Sequence, residues 1–445
     1  MRRFFQPTAK RSIFTDLDAY QLQRSLNPPN HRTMQTQLKV KLSFFNFLQY
    51  FVWGSWYVSM GAYLTQTLKF DGQEVGLAYG AFAIGSMISP FLVGLLADRY
   101  FASEKLLAVF SLIGGAVLCL LPSLKSFIPF YSTLILYCAL YVPTLALGNS
   151  LALTHLEDSK TAFPRVKLWS AAGWIGGSFT LDLLLDGSLS SVQFYLAGGV
   201  SIGLALFSLM LPHTPPKKTG ENISFGDMLG LDALSLMKNR QFAIFIGCMF
   251  LICIPVYFYF TMINIYLTEL DWSYRLVKLS LAQVSDIVFM FFMPIMLKKF
   301  GYKKTIFLGI LAWAARYYCL GESANASTLV VPLIYAAILM HGVCYDFLFI
   351  AGQLYVDDKA NPKIRAACQG FIAFILWGVG AFVGTLAAGK VLKMNAITDQ
   401  AGNTTHDWAS IWPVPAYLSV GVLIMFALFF KEPTAKPAED SEEPA

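Results

Sequence analysis

Four ionisable side chains stand inside stretches that are otherwise apolar: Asp182, Asp286, Arg316 and Asp346. A charge at membrane depth is costly, so such groups face a cavity or a partner. Gln283 and Asp286 are three residues apart and share one helical face, which can present an amide and a carboxylate to a single ligand. Asp286 and Asp346 are natural sites for taking up and releasing a proton; the plainer reading pairs either of them with Arg316 to lock two helices. His341 precedes Asp346 by five residues, so it lies slightly off that face. It can hydrogen-bond a substrate, pass a proton or simply fill a helix contact. Asp182 lies near the outer end of its segment and reads as solvated.

Aromatic residues cluster with these polar groups. Gln49, Trp53 and Trp56/Tyr57 recur at helical spacing, so an amide sits beside large rings on one face. That combination suits an amphipathic ring held by stacking and an edge hydrogen bond, although a membrane-interface tryptophan belt is the alternative. Trp174 lies seven residues past Lys167, so both can face the centre, and Gly173, Gly176 and Gly177 permit a close helix contact there. Pro143, Thr144 and Asn149 mark a loosened turn, and Tyr257–Phe260 form an aromatic run ahead of Asn264. Asp98 and Arg99 end an apolar segment, where a gating role competes with a plain solvated helix end. Neither a metal-ligand cluster nor a nucleophile–base pair is evident, and no cofactor is expected.

The elements that must position these residues are membrane-spanning helices. Of 445 residues, 56% are hydrophobic and only 13% charged, with mean hydropathy +0.55; soluble proteins carry about 25% charged residues. Apolar segments recur at spanning length over 43–66, 75–97, 106–124, 129–152, 168–186, 192–211, 241–265, 279–297, 305–321, 328–350, 367–391 and 410–430. The expectation is an all-α polytopic protein of about twelve transmembrane helices in two six-helix bundles. Residues 1–37 read as a polar cytoplasmic tail, 38–211 and 241–432 as the bundles, 212–240 as a linker and 433–445 as a disordered tail. With both termini cytoplasmic, 26 of the 33 Lys and Arg residues fall on the inner side and 6 on the outer. Pro164-Arg165-Val166-Lys167 echoes Pro362-Lys363-Ile364-Arg365, as two related halves would. The +6 net charge is spread over short loops and does not point to nucleic acid.

Longer strings carry a resemblance. Gly94 to Asp98-Arg99 resembles the loop signature of the major facilitator superfamily. FLQYFVWGSW (47–56), TLKFDG (67–72), YVPTLALGNS (141–150), MLGLDALSL (228–236), YDFLFIAG (345–352) and IRAACQG (364–370) are similar to the bacterial nucleoside:proton symporter family. The resemblance implies a major facilitator fold in a bacterial inner membrane and uptake of nucleosides with protons by alternating access. It places substrate contacts at Gln283, Asp286, Tyr345 and Asp346. Lys167 stands where relatives tend to have arginine, Trp174 where they have a smaller aromatic, and His341 where they have tyrosine. Tyr257 and Phe260 replace polar amides. The expected site is therefore Gln49, Trp53, Lys167, Trp174, Gln283, Asp286, His341, Tyr345 and Asp346, with Asp286 and Asp346 coupling protons and Asp98 and Arg99 gating. Other readings are a symporter or facilitator for a nucleobase or sugar, and a non-transporting nutrient sensor.

Overall fold

The computed structural model describes residues 31–97, 99–216, 231–326, 328–361 and 364–432. Residues 1–30 of the polar tail, 217–230 of the linker, 433–445, Asp98, Ser327, Pro362 and Lys363 lie outside them. The architecture is all-α apart from one small hairpin of β1 (Ala396–Thr398) and β2 (Thr404–His406). In chain order the helices are α1 (His31–Gly54), α2 (Tyr57–Ala62), α3 (Gly72–Leu92), α4 (Ser103–Leu120), α5 (Phe127–His155), α6 (Ser159–Phe179) and α7 (Val192–Ser208). Then come α8 (Arg240–Glu269), α9 (Arg275–Leu279), α10 (Leu281–Asn325), α11 (Val330–Leu339), α12 (His341–Tyr345) and α13 (Ala351–Lys359). The chain continues through α14 (Arg365–Ala373), α15 (Gly380–Met394), α16 (Trp408–Ile411) and α17 (Pro413–Phe429).

The expectation of twelve spans in two six-helix bundles is corrected here. Among the described residues, seven helices are long and apolar enough to cross a membrane, or eight if a bent pair counts as one span. The reasons are local. Helix α1 begins with polar residues and breaks at Ser55–Trp56; α6 carries Arg165 and Lys167; α7 has only 17 residues. The segments expected at 279–297 and 305–321 run together as Arg275–Asn325, whose backbone turns at Gly301 with φ +71°. There the Glu432 carboxylate accepts the freed N–H groups of Tyr302 and Lys303 at 3.1 and 3.0 Å. The segment expected at 328–350 bends by 42° between α11 and α12. The outer surface is apolar, as contact with lipid demands, with Ile128, Leu206 and Tyr417 among its exposed side chains.

Two close approaches fix the site. Helix α6 lies against α1 so tightly that a Cβ at Gly177 would sit 2.5 Å from Phe51 O, and one at Gly54 2.5 Å from Trp174 O. Only glycine allows that spacing, and it brings Trp53 and Trp174 together. Helices α3 and α15 meet in the same way, since a Cβ at Gly76 would lie 2.8 Å from Gly389 Cα. Helix α3 starts with a capping box: Asp71 Oδ1 accepts from Gln73 N and Glu74 N, while Glu74 Oε2 accepts from Asp71 N.

Candidate functional site

A cavity of about 610 Å³ lies between α1, α3, α6, α8, α10 and the α11–α12 break. Aromatic side chains make up nearly half of its wall. Trp53 stacks on Phe82 with centroids 4.7 Å apart and meets Trp174 edge-on at 5.2 Å. Tyr257 and Phe260 of α8 face them, and Tyr345 and Trp377 close another side. Rings in this arrangement form a slot that accepts a flat, partly polar solute.

The polar groups of the cavity come from three places. Gln283 and Asp286 of α10 both line it, so their shared helical face is turned inward. Lys167 of α6 also lines it. Its ammonium donates to Asn149 Oδ1 at 3.1 Å, Asn46 Oδ1 at 3.3 Å and Tyr50 OH at 3.4 Å, and lies 4.7 Å from the Tyr50 ring centroid. All three hydrogen-bond partners are neutral side chains. His341 stands on the third wall, its ring parallel to that of Tyr345 at 5.7 Å and its Nδ1 without a partner among the described residues.

Asp346 is wholly buried behind this wall, at the start of a π-helical turn (Asp346–Ile350). Its carboxyl adjoins that of Asp286, and the two interact directly. Asp286 Oδ1 and both Asp346 oxygens find no hydrogen-bond partner among the described residues. Two carboxylates have no donor between them; a single proton shared by the pair would supply one.

The broken span is held by neighbouring side chains. Ser285, between Gln283 and Asp286, donates to Leu339 O at 2.5 Å and accepts from Gly342 N at 3.1 Å. These are backbone groups that a helix bend leaves unsatisfied, and in a membrane they need such partners. Arg316 Nε donates to Ala337 O at 2.8 Å in the same region. One serine thus ties the helix carrying Gln283 and Asp286 to the break that precedes His341 and Asp346.

The cavity opens at one end, past Thr161, Pro164, Arg165 and Phe291. The opposite end is sealed. Lys393 Nζ contacts Asp71 Oδ2 at 2.8 Å and Gln73 Oε1 at 3.2 Å. Asp182 Oδ2 accepts from Leu276 N and Val277 N at the start of α9, and Arg275 Nη2 donates to Ser188 Oγ.

Of the residues singled out from the sequence, Trp53, Lys167, Trp174, Gln283, Asp286, His341 and Tyr345 line the cavity, and Asp346 touches Asp286 from behind. Gln49 does not line it: the residue is buried against α5, its side-chain amide donating to Thr144 Oγ1 at 3.1 Å and its backbone carbonyl accepting from Tyr141 OH. Asp182 is buried in the seal rather than solvated. Arg99 is half-buried in a turn, and Asp98 lies outside the described residues. Phe82, Trp377, Tyr50, Asn46 and Ser285 were not anticipated. Asn46 could have been, since an amide three residues before Gln49 belongs to the same polar stripe.

Comparisons with known proteins identify the family. The model of the family described as "Nucleoside H+ symporter" matches residues 34–435. The putative nucleoside transporter YegT of Escherichia coli is 34% identical over 399 residues, covering 88% of this chain and 93% of its own. The nucleoside permease NupG of the same organism is 30% identical over 410 residues, covering 88% and 96%. The crystal structure of NupG superposes with TM-score 0.80 at 29% identity, covering 89% of this chain and 99% of that one. A peptide transporter of the POT family, PepTSo, shares the fold with TM-score 0.69 at 14% identity. The chain is a multi-pass membrane protein, and it belongs to the nucleoside:H+ symporter family of secondary transporters, not to a family of enzymes.

Proposed function

We propose that this protein carries nucleosides into the cell together with protons, across a bacterial inner membrane. Both termini and the loops rich in lysine and arginine are cytoplasmic in this reading, so the cavity opens to the cytoplasm and the Asp71–Lys393 end faces out. The base lies in the aromatic slot between Trp53, Trp174 and Tyr345. The ribose hydroxyls meet Gln283, Asp286 and His341, and Lys167 stands at the inner mouth. The coupling proton resides on the Asp286–Asp346 pair. The observation that carries the reading is the juxtaposition of an amide and a carboxylate facing the slot with a second, buried carboxylate directly behind them. Family membership and the names of the relatives support the substrate class.

A hydroxyl held by a buried carboxylate discriminates strongly, because an analogue lacking it leaves the charge unpaired. Competition against radiolabelled uridine uptake therefore tests the assignment. Unlabelled nucleosides are expected to compete, while free nucleobases and sugars compete much less. Equal competition by a nucleobase would remove the role given to the ribose contacts; competition by sugars alone would overturn the substrate class.

A further inference from the structure

Arg316 does not line the cavity, yet a wholly buried cation is costly to keep where it is. It is 0% exposed, midway along the second arm of α10. Its guanidinium is packed between two rings, 4.2 Å from the Tyr259 centroid and 4.6 Å from that of Trp313. Its Nε is used by Ala337 O, but Nη1 and Nη2 have no hydrogen-bond partner among the described residues. Four N–H groups of a permanent cation are thus left unmatched in a low-dielectric interior, where charge-assisted hydrogen bonds are strongest.

Unmatched acceptors are linked to it through Asp286. Arg316 acts electrostatically on Asp286, whose Oδ1 is unpartnered, and Asp286 adjoins Asp346, both of whose oxygens are unpartnered. The other titratable groups facing Arg316 are Tyr259 of α8, Tyr317 on its own helix, and His341 and Cys344 of α12. Among these neighbours only Asp286 supplies a carboxylate, and Asp346 is reached through it. The second arm of α10 is pressed against the chain carrying Asp346: a Cβ at Gly309 would lie 2.7 Å from Leu348 N, and Trp313 Nε1 donates to Cys344 O at 3.0 Å. Unpaired donors and unpaired acceptors therefore sit in one packed unit.

We propose that Arg316 is the internal counter-charge of the Asp286–Asp346 pair: after the proton leaves, its free N–H groups take the place of that proton. The guanidinium stays protonated throughout; the proton passes from the carboxyl pair to cytoplasmic water, and nothing else changes hands. With the proton bound, the pair is partly neutralised and the cation is held by the two rings and the Ala337 carbonyl. With the proton gone, the cation balances the carboxylate that would otherwise return across the membrane unpaired. Arg316 is thus a positioning residue for coupling and makes no contact with substrate.

The inference rests on the proton-coupled reading above, and the test separates the two. In proteoliposomes, Arg316→Gln is expected to keep uridine counterflow, which needs no deprotonated empty carrier. Proton-driven net accumulation is expected to fall about tenfold or more, because one partner of a buried charge set is missing. Arg316→Lys is expected to recover part of the accumulation, and Arg316→Gln with Asp346→Asn is expected to exchange at least as well as Arg316→Gln alone. Thermal melting checks that each variant is folded; Arg316→Lys carries the test if Arg316→Gln is not. Full accumulation by Arg316→Gln while Asp346→Asn is uncoupled would overturn the counter-charge alone. Full accumulation by Asp346→Asn would overturn the coupling reading itself. Equal loss of counterflow and accumulation in folded Arg316→Lys would show a structural role only and likewise overturn the proposal.

Discussion

Lys393→Ala is expected to loosen the sealed end of the molecule without unfolding it. Asp71 uses its two oxygens separately: Oδ1 caps α3, accepting from Gln73 N at 2.8 Å and Glu74 N at 3.0 Å, whereas Oδ2 takes the Lys393 ammonium at 2.8 Å. Removing the lysine leaves the cap whole. The two side chains are 49% and 43% exposed, so their attraction is screened and worth about 0.5 kcal/mol. That is a factor of about two in the balance between sealed and opened forms. Ser280 is buried just inside this end, beside Leu276 and Leu279, and reports opening when replaced by cysteine in a background freed of the seven native thiols. A membrane-impermeant maleimide added from the Asp71–Lys393 side should label Ser280→Cys about twice as fast in the Lys393→Ala variant, and salt near ~1 M should abolish the difference. Asp71→Ala should also lose its helix cap, about 1 kcal/mol, and melt earlier. Labelling unchanged by Lys393→Ala at low salt would refute this reasoning, as would a fall in melting temperature equal to that of Asp71→Ala.

The remaining predictions concern other contacts. Trp53→Ala removes the ring stacked on Phe82, worth about 0.5–1.5 kcal/mol. Uridine affinity measured by equilibrium binding should weaken about three- to tenfold; an unchanged Kd would count against the aromatic slot. Glu269→Ala strips the partner from His406 Nδ1, His406 N and Trp408 Nε1 at 2.6, 3.0 and 2.7 Å. Because these groups are buried, a loss of about 3 kcal/mol is expected, seen as a lower melting temperature and freer proteolysis of the β1–β2 hairpin. Burial pushes the Asp71 carboxyl up, but the hydrogen bonds from Lys393 and from the N–H groups of Glu74 and Gln73 outweigh it and hold it below its ordinary 3.8. Its contribution to stability is therefore present above that pH and lost as pH falls through the lower folded-state value. Asp71→Asn should flatten the acid limb of the melting profile there.

The site was legible where polarity contradicts its surroundings. Gln283, Asp286, His341 and Asp346 announce themselves because each is costly in an apolar segment, and Gln283 and Asp286, three residues apart, both line the cavity. Gln49 announced itself for the same reason but turned to Thr144, since helical spacing defines a stripe without saying which neighbour covers it. Phe82 and Trp377 could not be separated from lipid-facing aromatics, which have the same composition. Ser285 acts through a break in the next helix, and a 42° bend has no local signal beyond Gly342. The span count misled because hydropathy alone treated broken α1, charged α6 and short α7 as equal to the long apolar helices, while the two helical arms that meet at the non-helical Gly301 follow one another without a loop.

The central claim is that the buried carboxyl pair couples solute movement to protons. Its most direct test is radiolabelled uridine uptake into proteoliposomes with an inward proton gradient, comparing the parent chain with Asp346→Asn. Accumulation above equilibrium that a protonophore collapses is expected, together with its loss in Asp346→Asn with counterflow retained. Accumulation indifferent to the gradient, or equally strong in Asp346→Asn, would contradict it.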